Sequence, residues 1–191
     1  ADFSQSILDG ARFDQATLDG AILEKASLLG ASFSQASLVG VQGRIVRFMD
    51  ATLREADCSG SNFEHADFTG SNAQKVDFSG ADLNNACFVA TQLSKSAFRG
   101  AILDNAVFDQ ADLTEADFTG ASVINANFSG SRGLSREAIQ DLRNRGARFD
   151  VNSRDGFGSL VGLSQFRAAI VLFSLGVGAY FFSSSIGSVD A

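Results

Sequence analysis

The chain has 191 residues and a formal net charge of −7, with 22 acidic and 15 basic residues, one His, two Cys and neither Pro nor Trp. This acidity argues against a protein that binds nucleic acid through a basic surface, because phosphate binding depends on Lys and Arg. Two cysteines give neither a disulfide framework nor the ligand spacing of a structural zinc site.

Residues 1–130 form an uninterrupted array of 26 pentapeptides. With four exceptions, every fifth residue from Phe3 to Phe128 is Phe or Leu, and the residue two places earlier is Ala or another small residue. A period of five would spread apolar side chains around a helix and would alternate them between the faces of a flat strand. The chain must therefore turn once per pentapeptide, so that the small and large side chains point into one lumen. Four central positions depart from the pattern: Gly43, Cys58, Ala73 and Val123.

Gly closes most of the even-numbered pentapeptides, as at Gly10 and Gly20, whereas longer residues such as Gln5 and Lys25 close the others. This alternation predicts two corner types, one of which needs positive φ, in a coil with an even number of sides. Gly43 and Ala73 lack a large central side chain and predict local weakness.

The array resembles the pentapeptide repeat family, whose consensus is seen in Ala111-Asp112-Leu113-Thr114-Glu115 and Ala116-Asp117-Phe118-Thr119-Gly120. The resemblance implies an all-β solenoid, a right-handed quadrilateral β-helix with four pentapeptides per coil and about 6.5 coils. On that geometry the structural core contains two columns of rings: Phe48, Phe68, Phe88, Phe108 and Phe128 in one, and Phe78, Phe98 and Phe118 in the other.

The period stops after Gly130, and residues 131–150 are interpreted as a capping helix and an exit segment. Ser135 can cap a helix from about Arg136 to Arg145, with Ile139 and Leu142 on its apolar face. We expect this helix to cover the end of the stack, as terminal caps do in solenoids.

Residues 151–167 are predicted to be a basic linker, and residues 168–189 a single transmembrane helix. The second segment carries no charge and reaches bilayer length. The alternative is a helix buried against the rod or in a subunit interface. The residues expected to contact membrane or partner are Ile170, Leu172, Phe173, Leu175, Tyr180, Phe181 and Phe182.

No catalytic, cofactor-binding or metal-binding residue is predicted. His65 is the only histidine and takes an outward corner position. Asp57 and Asp77 are expected one coil apart on one face, but Ala97 interrupts that column. We interpret these carboxylates as a solvated face and the protein as a non-enzyme without a cofactor.

Two functions remain open. The first is a structural, assembly or accessory subunit of a membrane protein complex, in which the rod binds protein subunits and the C-terminal helix contacts lipid. The second, implied by the family resemblance, is a soluble acidic DNA mimic that binds a type II topoisomerase. Neither involves direct binding of nucleic acid or a small-molecule substrate.

The first function is assigned to a photosynthetic (thylakoid) membrane, because long arrays of this family are common in cyanobacteria and plastids. The basic residues before the apolar segment would leave the solenoid on the stromal or cytosolic side under the positive-inside rule. Lumenal relatives within the family imply the opposite side, and the sequence leaves the choice open.

Overall fold

A computed structural model describes residues 1–150. The chain divides into two units, Ala1–Asp155 and Gly156–Ala191. The predicted linker at 151–167 and transmembrane helix at 168–189, with all of its expected contact residues, lie outside the described residues. Among residues 1–150, no helix is both long enough and apolar enough to cross a membrane.

The array forms a β-solenoid. Parallel β-bridges join the second residue of each pentapeptide to the second residue of the fourth pentapeptide after it, from Asp2 and Ile22 to Asp112 and Arg132. In the first of them the Phe3 amide donates to the Ile22 carbonyl at 2.8 Å, and the Ile22 amide donates to the Ala1 carbonyl at 2.9 Å. Each pentapeptide contains one bridging residue and one corner. Because the bridges join every fourth pentapeptide, each coil of the solenoid contains four pentapeptides.

Every pentapeptide closes with the same turn. The last residue of each one, from Gln5 to Gly130, has positive φ, and the values lie between 53° and 71°. The prediction that only one of the two corner types needs positive φ is therefore wrong. The reason is that each corner repeats one backbone hydrogen bond, as from the Ser6 amide to the Phe3 carbonyl at 3.1 Å, whatever side chain closes the pentapeptide.

Phenylalanine rings form two columns inside the solenoid. From Phe48 to Phe128 the rings of successive coils stack with centroids 4.7–5.2 Å apart. The second column joins Phe78, Phe98 and Phe118 at 5.3 and 5.0 Å. Rings of the two columns meet edge to face, an arrangement that aromatic quadrupoles favour.

Gly43 does not leave a cavity. A Cβ built on Gly43 would lie 2.7 Å from two ring carbons of Phe63, which belongs to the same column one turn later. The ring of Phe63 thus fills the space that the missing side chain vacates, and the expected weak point at Gly43 is instead a site of close packing. Ala73, the other small centre, is fully buried.

Helix α1 (Arg136–Asn144) follows the array. The Ser135 hydroxyl accepts a hydrogen bond from the Ala138 amide at 3.2 Å and caps the first turn. Leu142 is buried in the same apolar cluster as the rod interior, and Ile139 is half-buried. The helix thus adds its apolar side to the core of the solenoid.

The chain returns to the rod after α1. The Phe128 amide donates to the Arg148 carbonyl at 2.8 Å, and the Arg148 amide donates to the Ala126 carbonyl at 2.7 Å. The ring of Phe149 stacks on Phe128 with centroids 5.3 Å apart. Phe149 therefore lengthens the first phenylalanine column beyond the last pentapeptide.

Candidate interaction surface

The outward Asp and Asn residues of the pentapeptides hold the turns. The carboxylates of Asp57, Asp67 and Asp77 each accept a hydrogen bond from the backbone amide two residues later, at 2.8–3.0 Å. Asx turns of this kind satisfy an amide that would otherwise lack a partner. Asp57 and Asp77 are bridged neighbours, and Asp77 is bridged to Ala97, so their column ends there. Both side chains thus hold the turns of their own pentapeptides.

A second arrangement serves the same turn when Ser stands at the outward position. Asp104 lies on the preceding coil and accepts from the Ser122 hydroxyl at 2.6 Å and from the Ile124 amide at 2.9 Å. Asp9 does the same for Ser27 and the Leu29 amide. The repeat pattern alone did not predict this pairing, although its signal is an Asp at the fourth position of a pentapeptide and a Ser at the second position one coil later.

The four sides of the solenoid differ in charge. We name them by the pentapeptides that they contain: the first face begins at residue 1, the second at 6, the third at 11 and the fourth at 16, and each face takes every fourth pentapeptide from there. The third face carries four basic and four acidic residues, whereas acidic residues exceed basic ones by three on each of the others. The acidity of the rod is thus confined to three of its sides.

The closing residues of the pentapeptides on the neutral third face form a ladder of polar side chains along one corner of the solenoid. The Gln35 amide donates to the Glu55 carboxylate at 3.0 Å, and the Lys75 ammonium donates to the same carboxylate at 2.7 Å. Lys95 and Glu115 continue the corner with their charged atoms 3.7 Å apart. The hydrogen bonds lower the pKa of Glu55, Lys75 contributing most. Each exposed pair contributes little to stability, but the ladder gives this corner a definite pattern.

The fourth face has the smallest side chains. Among its outward positions Arg99 is the one long side chain in the described residues. Its closing residues form an unbroken column of glycines: Gly20, Gly40, Gly60, Gly80, Gly100 and Gly120. The fourth face is thus an acidic side whose corner carries no side chains.

The residues that could carry chemistry are placed apart. Cys58 is buried in the lumen, where burial and then the Asp57 and Asp77 carboxylates raise the pKa of its thiol. Cys87 is half-buried, with its sulfur 3.3 Å from the Thr69 hydroxyl. His65 is exposed, with Nε2 3.5 Å from Glu64. Within residues 1–150 no group of three or more His, Cys, Asp and Glu side chains could hold a metal ion.

Residues 1–35, 47–89 and 91–130 match the model of the family described as pentapeptide repeats, in eight copies. These ranges make up more than half of the chain. No curated protein sequence is significantly similar to it.

Solved structures are similar to this chain at low sequence identity. Trypsin-treated QnrB1, a plasmid-mediated fluoroquinolone resistance protein, is 22% identical with a TM-score of 0.54, over 78% of this chain and 77% of that one. A pentapeptide repeat protein from the Arabidopsis thaliana thylakoid lumen is 18% identical with a TM-score of 0.29, over 79% and 83%. HetL from the cyanobacterium Nostoc is 22% identical with a TM-score of 0.21, over 69% and 73%. The QnrB1 match supports the solenoid fold alone.

Proposed function

Because the chain belongs to the pentapeptide repeat family, we propose that it is a non-catalytic protein-interaction rod that serves as an accessory or assembly subunit of a membrane complex. The observation that carries this proposal is the division of the rod into three acidic sides and one neutral side with a polar ladder. A stacked core holds these patterns in place, and the outward carboxylates bind turn amides, as Asp77 binds Ser79, instead of forming a reactive centre.

We infer that the coil is right-handed and quadrilateral, with 26 pentapeptides in about 6.5 coils. The bridges join every fourth pentapeptide, as from Asp57 to Asp77, and so support four sides per coil. The handedness rests on the family resemblance, and a crystal structure tests it directly.

The membrane part of the proposal rests on the sequence of residues 168–189, which is uncharged and of bilayer length. Lipid is the proposed contact of that segment, and protein subunits are the proposed partners of the rod. The thylakoid is the proposed membrane, on the family resemblance. Protease treatment of sealed membranes decides the side, because a lumenal rod is protected and a stromal or cytosolic rod is cleaved.

The alternative is a soluble rod that mimics DNA and binds a type II topoisomerase. DNA carries about one charge per 1.7 Å of its axis. The solenoid has 17 acidic and 8 basic residues, and with strands about 4.8 Å apart its length is about 30 Å. Its net charge density is thus about half that of DNA. This comparison favours the subunit over the mimic.

The test is alkaline carbonate extraction of membranes from the source cells, followed by mild detergent and a native gel. We expect the protein to stay in the pellet and to migrate with a large complex. Full release as a free protein that inhibits or protects DNA supercoiling by a topoisomerase would instead support the alternative. Full release without either effect would contradict both.

A further inference from the structure

The C-terminal end of the solenoid is closed unevenly. On the third face Arg132 bridges to Asp112, and on the second face Arg148 bridges to Asn127. On the fourth face the last bridging residue, Asp117, is bridged only backwards, to Ala97, among the described residues. Among residues 1–150, the last pentapeptides of the fourth and first faces, residues 116–120 and 121–125, therefore have no bridged neighbour on a further coil. Of the two, residues 121–125 are still tied to the chain after α1, because the Asn125 amide donates to the Gly146 carbonyl at 2.9 Å.

In the part of the chain that the structure describes, the edge at residues 116–120 has the hydrogen-bonding groups of a strand without its neighbour. In the preceding coils the amides of the third and fifth residues donate to the next coil, and the carbonyl of the first residue accepts from it. Within residues 1–150 the corresponding groups, the amides of Phe118 and Gly120 and the carbonyl of Ala116, have no such partner. We call residues 116–120 the open edge.

A cleft of about 570 Å³ separates the open edge from α1. Its other wall consists of Ala138, Asp141, Leu142 and Arg145. The Arg145 guanidinium donates to the carbonyls of Phe118 and Ala121 and to the Asp141 carboxylate. These hydrogen bonds link α1 to the edge of the solenoid and fix one end of the cleft. A volume of this size falls in the range of binding pockets.

The two closed faces show what pairs with such an edge. The strand on the third face reads Ser131-Arg132-Gly133, and the strand on the second face reads Ala147-Arg148-Phe149. In both the order is small residue, arginine, then the residue over the central column. Arg132 lies 3.3 Å from the Asp112 carboxylate, and the ring of Phe149 stacks on Phe128.

The open edge presents the same two features. Asp117 occupies the position of Asp112, and Phe118 occupies the position of Phe128 at the end of its own column. Three carboxylates line the cleft, at Glu115, Asp117 and Asp141, against the single guanidinium of Arg145. On the preceding coil, Lys95 pairs with Glu115 and Arg99 with Asp117. The carboxylate of Asp117 can accept further bonds, since an ionised carboxylate offers about four lone-pair sites.

We propose that the open edge binds an extended segment of a partner protein as an added parallel strand. The segment reads small residue, Arg or Lys, then an aromatic or large aliphatic residue. Its backbone pairs with the amides of Phe118 and Gly120 and the carbonyl of Ala116, and its cation meets Asp117. Its apolar side chain contacts the small part of Phe118, 6% of the residue, that is still exposed. Strand addition of this kind takes affinity from backbone bonds and specificity from side-chain pockets.

The inference deepens the proposed interaction role, on which it rests, by naming the chemistry of one partner segment. It is tested on the whole chain by fluorescence anisotropy with the peptide Gly-Ala-Arg-Phe-Asn-amide, which carries fluorescein on its N-terminus. Two control peptides carry Glu in place of Arg, or N-methyl-Arg, which cannot donate to the Ala116 carbonyl. We expect each control peptide to bind at least about tenfold more weakly. Equal binding of all three peptides, or no binding of the first, would overturn the proposal.

Protein variants locate the site. Asp117→Asn keeps an acceptor for its turn and should weaken binding of the Arg peptide several-fold. Asp77→Asn makes the same change on the same face, where the edge is paired, and should leave binding unchanged. Equal effects of the two variants would contradict the assignment to the open edge.

Amide hydrogen exchange distinguishes a partner segment from a segment of this chain as the occupant of the cleft. Without peptide, the amides of Phe118 and Gly120 should exchange quickly and that of Phe128 slowly, and the peptide should protect the first two. Protection of Phe118 and Gly120 without peptide would show that this chain fills its own cleft, which overturns the proposal. Because these measurements need only the isolated protein, their failure is distinct from a failure to migrate with a membrane complex.

Discussion

Asp104 and Ser122 lie on successive coils of the first face, and the Ser122 hydroxyl donates a hydrogen bond to the Asp104 carboxylate at 2.6 Å. Asp104 also accepts from the Ile124 amide, a role that an Asp at the position of Ser122 fills in other pentapeptides. The amide at the fourth position of a pentapeptide can thus donate either to an Asp of the same pentapeptide or to an Asp on the preceding coil.

This relationship predicts a compensating exchange. Ser122→Asp alone should destabilise the solenoid, because it brings a second carboxylate beside Asp104. The double variant Asp104→Asn with Ser122→Asp should recover most of the loss, since the new Asp can accept from the Ile124 amide. Chemical denaturation of the four proteins in a double-mutant cycle measures the coupling. Additive effects would show that the two side chains act independently.

Two buried hydroxyl groups should respond oppositely to removal. Ser71 Oγ is buried without a hydrogen-bond partner among residues 1–150, so Ser71→Ala should raise the free energy of unfolding by about 1 kcal/mol. Ser61 Oγ donates to the Leu38 carbonyl at 2.6 Å and accepts from the Val41 amide at 3.0 Å. Ser61→Ala should lower the free energy of unfolding by about 1 kcal/mol. Both free energies of unfolding are measured by urea titration, and equal losses in the two variants would contradict the prediction.

Ile45 occupies a corner with φ of 60°, where a β-branched side chain is strained. Asn85 and Asn105 take the same corner on later coils, with φ of 58° and 60°. We expect Ile45→Asn to raise stability by about 1 kcal/mol and the reverse change, Asn85→Ile, to lower it by a similar amount. Thermal unfolding followed by circular dichroism compares the two, and a lower midpoint for Ile45→Asn would refute the strain.

Gly43 and Phe63 share one space in the lumen, so their sizes should be coupled. Gly43→Ala places a methyl group against the Phe63 ring and should cost about 1–3 kcal/mol. Adding Phe63→Leu restores the total volume and should recover part of that loss. Chemical denaturation of the unsubstituted protein, of Gly43→Ala and of the double variant measures both changes in the free energy of unfolding. If Gly43→Ala is neutral or stabilising, the Phe63 ring does not fill the site in solution.

Asp117 makes the free energy of unfolding depend on pH. Hydrogen bonds from the Thr119 hydroxyl and then from Arg99 lower the pKa of its carboxyl to about 2. Since the pKa in the unfolded chain is about 3.9, this stabilisation is complete above about pH 4 and is lost as the pH falls through about 2. Asp117→Asn should therefore reduce the loss of stability between pH 4 and 2. An unchanged acid transition in that variant would show that other carboxyls dominate it.

The sequence was sufficient for the family and the solenoid, because a period of five held without a break from Phe3 to Phe128 admits little else. It did not show that Gln5 and Gly10 share one turn geometry, since closing side chains vary while the backbone hydrogen bond does not. The filling of Gly43 by Phe63 was missed because it depends on a ring orientation one coil away. The open edge at residues 116–120 depends on the path of the chain after Gly130, which has no period to reveal it.

The return of the chain at Ala147-Arg148-Phe149 ties both ends of α1 to the rod. The helix lies between a strand on the third face and a strand on the second face, so it is an insertion within the solenoid rather than an appendage. Its unfolding would enlarge a loop whose two ends stay paired, and closing a loop costs entropy that grows only slowly with its length. Loss of the Phe149 stack would weaken the second of these ties and leave it to the backbone hydrogen bonds of Arg148. Tension applied to the chain after Asp150 would thus reach the last coil through Phe149 before it reached the helix.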